Sequence, residues 1–66
     1  MTKMPSPTYG ERIEAARKAA GWTRDELGRR VDRTPQAIFT WERQGRMPHA
    51  AVRRRLEELL GVKSPL

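Results

Sequence analysis

Three threonine-led helix starts divide this chain into short segments and leave no room for a long helix. Thr8-Tyr9-Gly10-Glu11 and Thr23-Arg24-Asp25-Glu26 each fit a capping box, in which a Thr hydroxyl and a Glu three residues later satisfy each other's backbone donors. Thr34-Pro35 is the third start: Thr caps the helix, and Pro takes a first position whose N–H is not needed. Gly21 and Gly61 sit where helices commonly stop. Between these marks the apolar residues recur at helical spacing. Tyr9, Ile13, Ala16 and Ala20 form one stripe, with Trp22 at the junction that follows. Leu27 and Val31 form the next, and Ile38 and Trp41, with Ala37 beside them, the third. Val52, Leu56, Leu59 and Leu60 form a fourth on a segment from about His49 to Leu60, with Val62 packing back. Asp32-Arg33 is a turn and residues 44–48 are a loop. The expected fold is all-α, a compact bundle of four helices. Residues 1–7 are read as a flexible arm, 8–62 as the domain and 63–66 as a tail.

Gly28 is out of place in mid-helix, where it costs roughly 1 kcal/mol against Ala. Close approach of a crossing helix would explain it, because a larger side chain would hold the two axes apart. In the last segment Arg53-Arg54-Arg55 is the densest charge run, and Arg53–Glu57 and Arg54–Glu58 are its i,i+4 pairs.

Sixty-six residues make one small domain with a small core. Cysteine is absent and His49 stands alone, so neither a disulfide nor a metal site is expected, and no cofactor. No nucleophile, base or metal cluster supports an enzyme. Fourteen Lys and Arg against eight Asp and Glu give a formal charge of +6, which attracts polyanions, nucleic acid first and an anionic membrane surface second. No apolar run reaches membrane-spanning length and no signal-peptide core is visible, so a cytoplasmic protein is expected.

The segment after Thr34 carries the chemistry. On a helical wheel Gln36, Thr40 and Arg43 lie opposite Ile38 and Trp41, and Phe39 flanks them. Gln pairs bidentately with adenine N6 and N7, and Thr bonds a base edge or touches a thymine methyl. Pro35 and Phe39 offer apolar contacts, and Arg43 reaches phosphate or guanine. A plain solvated face would have the same polarity, but it does not call for an aromatic ring beside Gln36. Arg24 opposes the dipole at a helix start, so a phosphate there would explain it; an exposed Arg paired with a nearby acid is the alternative. Arg46, in the loop after the third helix, has the same two readings.

These residues together resemble the Cro/CI, or lambda-repressor-like, helix-turn-helix family over about Tyr9 to Val62. The matching residues are Gly21-Trp22-Thr23-Arg24-Asp25-Glu26-Leu27-Gly28, Thr34-Pro35-Gln36-Ala37-Ile38 and Trp41-Glu42-Arg43. The resemblance implies a helix-turn-helix over about residues 23–43, with Arg24 at a phosphate-contacting position. Thr34, Pro35, Gln36 and Thr40 fall on base-reading positions, and Arg43 and Arg46 in the backbone-contacting region. Arg17 and Glu42 match a pair that forms a structural salt bridge in some members. Asp32 stands where the turn commonly has Gly, and Arg33 replaces an apolar residue, placing another cation near the DNA. The implied function is sequence-specific binding of double-stranded DNA on a pseudo-palindromic operator, as a Cro-like repressor acting by promoter occlusion in a bacterial cell or phage-infected host. The alternative is an antitoxin-type or excisionase-like accessory protein that also binds a protein partner. Many members carry a fifth helix that makes the dimer contact, so homodimer formation, on DNA or off it, is left open.

Overall fold

Local hydrogen bonds set the start of the first three helices. In the computed structural model, which describes residues 7–66, Thr8 Oγ1 accepts from the Glu11 N–H at 3.1 Å, and Glu11 Oε1 accepts from the Thr8 N–H at 2.7 Å. This complete capping box opens α1 (Tyr9–Ala19). Thr23 opens α2 (Arg24–Val31) by accepting from the Glu26 N–H at 3.1 Å. The reciprocal half of that expected box is missing, because the Glu26 carboxylate pairs with Arg30 one turn on, at 3.5 Å. Thr34 caps α3 (Pro35–Arg43) through the Ala37 N–H, with Pro35 at the first position as its fixed φ favours. His49 precedes α4 (Ala50–Leu60) without a side-chain cap. All but residue 7 of the expected N-terminal arm lies outside the described residues.

The helix ends explain the tightness of the turns. The Gly21 N–H bonds the Lys18 carbonyl and the Trp22 N–H the Arg17 carbonyl, with Gly21 at φ 78°. This paired closure needs a left-handed residue. The same pattern closes α2, from Asp32 to Arg29 and from Arg33 to Gly28, with Asp32 at φ 59° in the position a Gly would favour. That closure accounts for Gly28. A Cβ there would stand 2.5 Å from the Arg33 carbonyl oxygen, so the turn behind α2, rather than a crossing helix, demands the small residue. The crossing-helix demand falls instead on Gly10, whose Cβ would lie 2.2 Å from the Trp41 carbonyl oxygen on α3.

The four stripes meet in one core. Tyr9, Ile13, Leu27, Val31, Ile38, Trp41, Val52, Leu56 and Val62 are buried, with Ala16, Trp22, Ala37, Leu59 and Leu60 packed around them. Ala20 is exposed, because it caps α1 where the chain turns away. α3 packs on α2 and on α1, and α4 closes against α1 and α2. The arginine run of α4 does not form its expected i,i+4 pairs. Arg53 bonds the Pro48 carbonyl at 2.7 Å and Ser64 Oγ at 3.0 Å, tying α4 to the loop before it and the tail after it, while Arg55 approaches Glu58 at 3.9 Å.

A buried ion pair joins α1 to α3. Arg17 Nε donates to Glu42 Oε2 at 2.8 Å and Nη2 to Oε1 at 3.3 Å, while Nη1 donates to the Trp22 carbonyl at 2.8 Å. Both residues are buried, at 6% and 5% exposure, and the Glu42 side chain is fully enclosed. The pair implied by the family resemblance is therefore present as scaffold.

Two stability outcomes follow from these contacts. Gly10→Ala is expected to lower stability by about 1–3 kcal/mol despite the better helix propensity of Ala, because the added methyl meets backbone that cannot move away. Chemical denaturation midpoints test this, and an unchanged or raised midpoint contradicts it. Glu42→Ala leaves a buried guanidinium without its counter-charge and is expected to cost about 3–5 kcal/mol, comparable to the whole stability of so short a chain. Loss of the cooperative thermal transition near room temperature is the readout.

Candidate nucleic-acid interface

The orientation of α3 decides which side chains face outward. Ile38, Trp41 and Glu42 are buried, which leaves Gln36 and Arg43 exposed and Phe39 and Thr40 half-exposed on the other side. The wheel is thus realised as expected. The Gln36 amide makes no hydrogen bond among the described residues and is free on both its donor and acceptor sides. The Thr40 hydroxyl donates to the Gln36 carbonyl one turn back, at 2.8 Å. Thr34 Oγ1 serves as a cap acceptor, so its hydroxyl hydrogen remains available. Pro35 is exposed at the leading end of the helix. The loop after α3 folds back so that the Arg46 N–H approaches the Thr40 carbonyl at 3.3 Å, and Gly45 at φ 71° allows that bend.

The arginines predicted to contact DNA fall into two groups. Arg33 and Arg46 are exposed and have no acidic partner among the described residues; Arg33 Nη1 bonds only the Asp32 carbonyl, at 2.8 Å. Arg24 and Arg43 are held by carboxylates. Arg24 Nε donates to Glu42 Oε1 at 2.9 Å and its Nη2 to Glu14 Oε2 at 3.2 Å, with the guanidinium 5.1 Å from the centre of the Phe39 ring. Arg43 Nε and Nη2 donate to the same Glu14 oxygen at 3.1 and 2.9 Å. These contacts change two arguments made from sequence. A cation at the start of α2 no longer calls for a phosphate, since Glu14 and Glu42 already offset its conflict with the helix dipole. Nor does Phe39 stand bare beside Gln36, since it is half-buried and partly covered by Arg24.

Glu14 is the residue that sequence reasoning missed. On α1 it stands three residues before Arg17 and four before Lys18, an ordinary pattern for a solvated helix face. Nothing local signals its reach to α2 and α3. Burial works to raise its pKa, but the hydrogen bond from Arg43 and the charges of Arg43, Lys18 and Arg24 outweigh that and hold it below the ordinary value of 4.5. The carboxylate is therefore ionised at neutral pH with margin to spare. Glu14, Glu42, Arg17, Arg24 and Arg43 form one cluster where α1, α2 and α3 meet, while Arg33 lies in the turn before α3 and Arg46 in the loop after it.

A short, exposed helix presenting a free amide, with Arg33 before it and Arg46 after it, is what major-groove recognition uses. Among the described residues no helix is long and apolar enough to cross a membrane. Comparison with known proteins agrees with the geometry. The family model described as Helix-turn-helix matches residues 13–65. Multiprotein-bridging factor 1 of Schizosaccharomyces pombe is 31% identical over 64 residues, covering 92% of this chain. The chain spans only 43% of that relative's length. No solved structure matches significantly. With a family match over most of its length and α2, turn and α3 in place, the chain belongs to the XRE-type, Cro/CI-like helix-turn-helix family.

Proposed function

We propose that this protein binds double-stranded DNA in a sequence-specific manner, with α3 in the major groove, and acts as a small Cro-like repressor by occluding a promoter. The observation that carries the reading is the exposed, unpartnered Gln36 amide on a helix whose rotation is fixed from beneath by buried Ile38, Trp41 and Glu42. A reader needs polar groups that are free and carried on a fixed helix, and Gln36 meets both conditions. Thr34, Pro35 and Thr40 extend the base-reading surface, Phe39 borders it, and Arg24, Arg33, Arg43 and Arg46 serve the backbone on either side. One such module makes few base contacts, so two copies on a pseudo-palindromic operator are the working arrangement. The role is that of a binding module and needs no catalytic group.

A second reading has a specific observation behind it. The relative's name describes a factor that bridges proteins, and this chain corresponds to less than half of its length. An accessory DNA-binding protein of antitoxin or excisionase type, with a protein partner, would use the same α3 surface. Selection from a random duplex pool, followed by footprinting of the recovered duplex, tests the first reading. Co-purification of a stoichiometric protein partner that leaves the footprint intact would favour the second.

Two substitutions separate base reading from backbone contact. Gln36→Ala is expected to cost about 1–3 kcal/mol on the selected duplex and to relax one base position. Retained affinity and preference in binding curves would remove Gln36 from the reading set. Arg46→Ala is expected to weaken selected and random duplexes alike, and to reduce the slope of log affinity against log salt by about 1. An unchanged slope would exclude a phosphate contact at that position.

A further inference from the structure

Arg24 and Arg43 come from different helices, the first residue of α2 and the last of α3, yet their guanidinium groups converge on one carboxylate oxygen of α1. Glu14 Oε2 accepts from Arg43 Nη2 at 2.9 Å, from Arg43 Nε at 3.1 Å and from Arg24 Nη2 at 3.2 Å. The buried core does not need this carboxylate. Arg17 is already matched by Glu42 at 2.8 Å and stands 3.9 Å from Glu14. Two guanidinium groups this close repel, and on flexible stems they would spread into solvent without a shared anion between them. With it, both lose their rotamer freedom before any ligand arrives, which lowers the entropic cost of binding. Each also keeps an edge free: Arg24 and Arg43 spend Nε and Nη2 on carboxylates, and neither Nη1 has a hydrogen-bond partner among the described residues. Paired guanidinium edges suit phosphate oxygens.

We propose that Glu14 is a positioning residue for DNA binding, holding Arg24 and Arg43 as a preassembled guanidinium pair for the phosphodiester backbone that borders the groove entered by α3. The proposal builds on the DNA-binding reading of α3 and adds to it a residue outside the helix-turn-helix. Its consequence runs against simple electrostatics. An acid near a polyanion should weaken binding, so removing its charge should tighten the complex. A positioning acid does the opposite when removed.

The test measures affinity by fluorescence anisotropy, on the duplex recovered by selection and on a scrambled duplex of the same composition. Glu14→Gln is compared with Glu58→Gln, which removes the same unit of charge from an exposed site on α4. Glu14→Gln is expected to bind the selected duplex more weakly, on the order of tenfold, while Glu58→Gln binds as tightly as the wild type or more so. In an Arg24→Ala/Arg43→Ala background, adding Glu14→Gln should cause no further loss, since no pair remains to be positioned. Circular dichroism checks that each variant is folded. Glu14→Asp, which keeps the charge on a shorter stem, gives a second arm with an intermediate loss expected. Tightening by Glu14→Gln to match Glu58→Gln, an equal loss in the double-alanine background, or wild-type binding by Glu14→Asp would each overturn the proposal. A wild-type protein that prefers no duplex would instead remove the DNA reading beneath it.

Discussion

A fully enclosed carboxylate governs the geometry of this domain. Glu42 lies one turn after Ile38 and next to Trp41, so it shares their inward face of α3, and a charge cannot remain there unless it meets a partner. Arg17 of α1 supplies that partner through two hydrogen bonds, and Arg24 of α2 supplies a third. One residue thereby ties α3 to both helices that support it. Apolar contacts alone tolerate small rotations of a helix, because hydrophobic attraction has no direction. An enclosed ion pair tolerates far less, since any slip leaves a charge without its counterpart. The presentation of Gln36, Thr40 and Arg43 to solvent follows from this lock beneath them.

Much of the architecture was legible because its determinants are local. A Thr hydroxyl three residues before a free N–H, a Pro at a first turn and a Gly after a last turn act within one helical turn of themselves. They placed α1, α2 and α3 and the turns around them. The core stripes were legible for the same reason, since periodicity of 3.6 residues states which side is apolar. What the pattern did not reveal depends on contacts between distant residues. Glu14 looks like any surface acid paired along its own helix, and only the packing of α1 on α3 brings Arg43 within reach. Gly10 passes for a filler inside a capping box until α3 crosses over it. Gly28 was rightly singled out as needing a reason, but the reason lay in the turn that closes α2. Glu26 fits the consensus of a cap and pairs instead with Arg30, because an arginine one turn on competes for the same carboxylate. The outward face of α3 was read correctly, whereas the arguments from Arg24 and Phe39 took each side chain in isolation and missed that the two cover one another.

Electrostatically, the basic character of the chain is unevenly distributed. Arg17, Arg24, Arg29, Arg30 and Arg43 all have acidic partners, on their own helix or across the bundle. Arg33 and Arg46, at the two ends of α3, have none among the described residues. The net charge of +6 is thus shared between cations tied to acids and cations free of them, and the two nearest α3 along the chain, Arg33 and Arg46, are of the free kind. Arg33 and Arg46 bracket the exposed polar face of α3, while Arg17, Arg24 and Arg43 tie together the helices that carry it. The same division separates groups free to respond to salt from groups already screened by a neighbouring acid.

The bond from the Thr40 hydroxyl to its own helix backbone limits what that side chain can say to a nucleobase. With its only hydrogen committed to the Gln36 carbonyl, the oxygen can still accept and the methyl can still pack, but the group has nothing left to donate. An edge rich in acceptors, such as the N7 and O6 of guanine, therefore finds no counterpart at Thr40. The exocyclic amino group of adenine or cytosine, or the methyl of thymine, does. If α3 enters a groove as proposed, Thr40 offers a base edge an acceptor and a methyl but no hydrogen to donate.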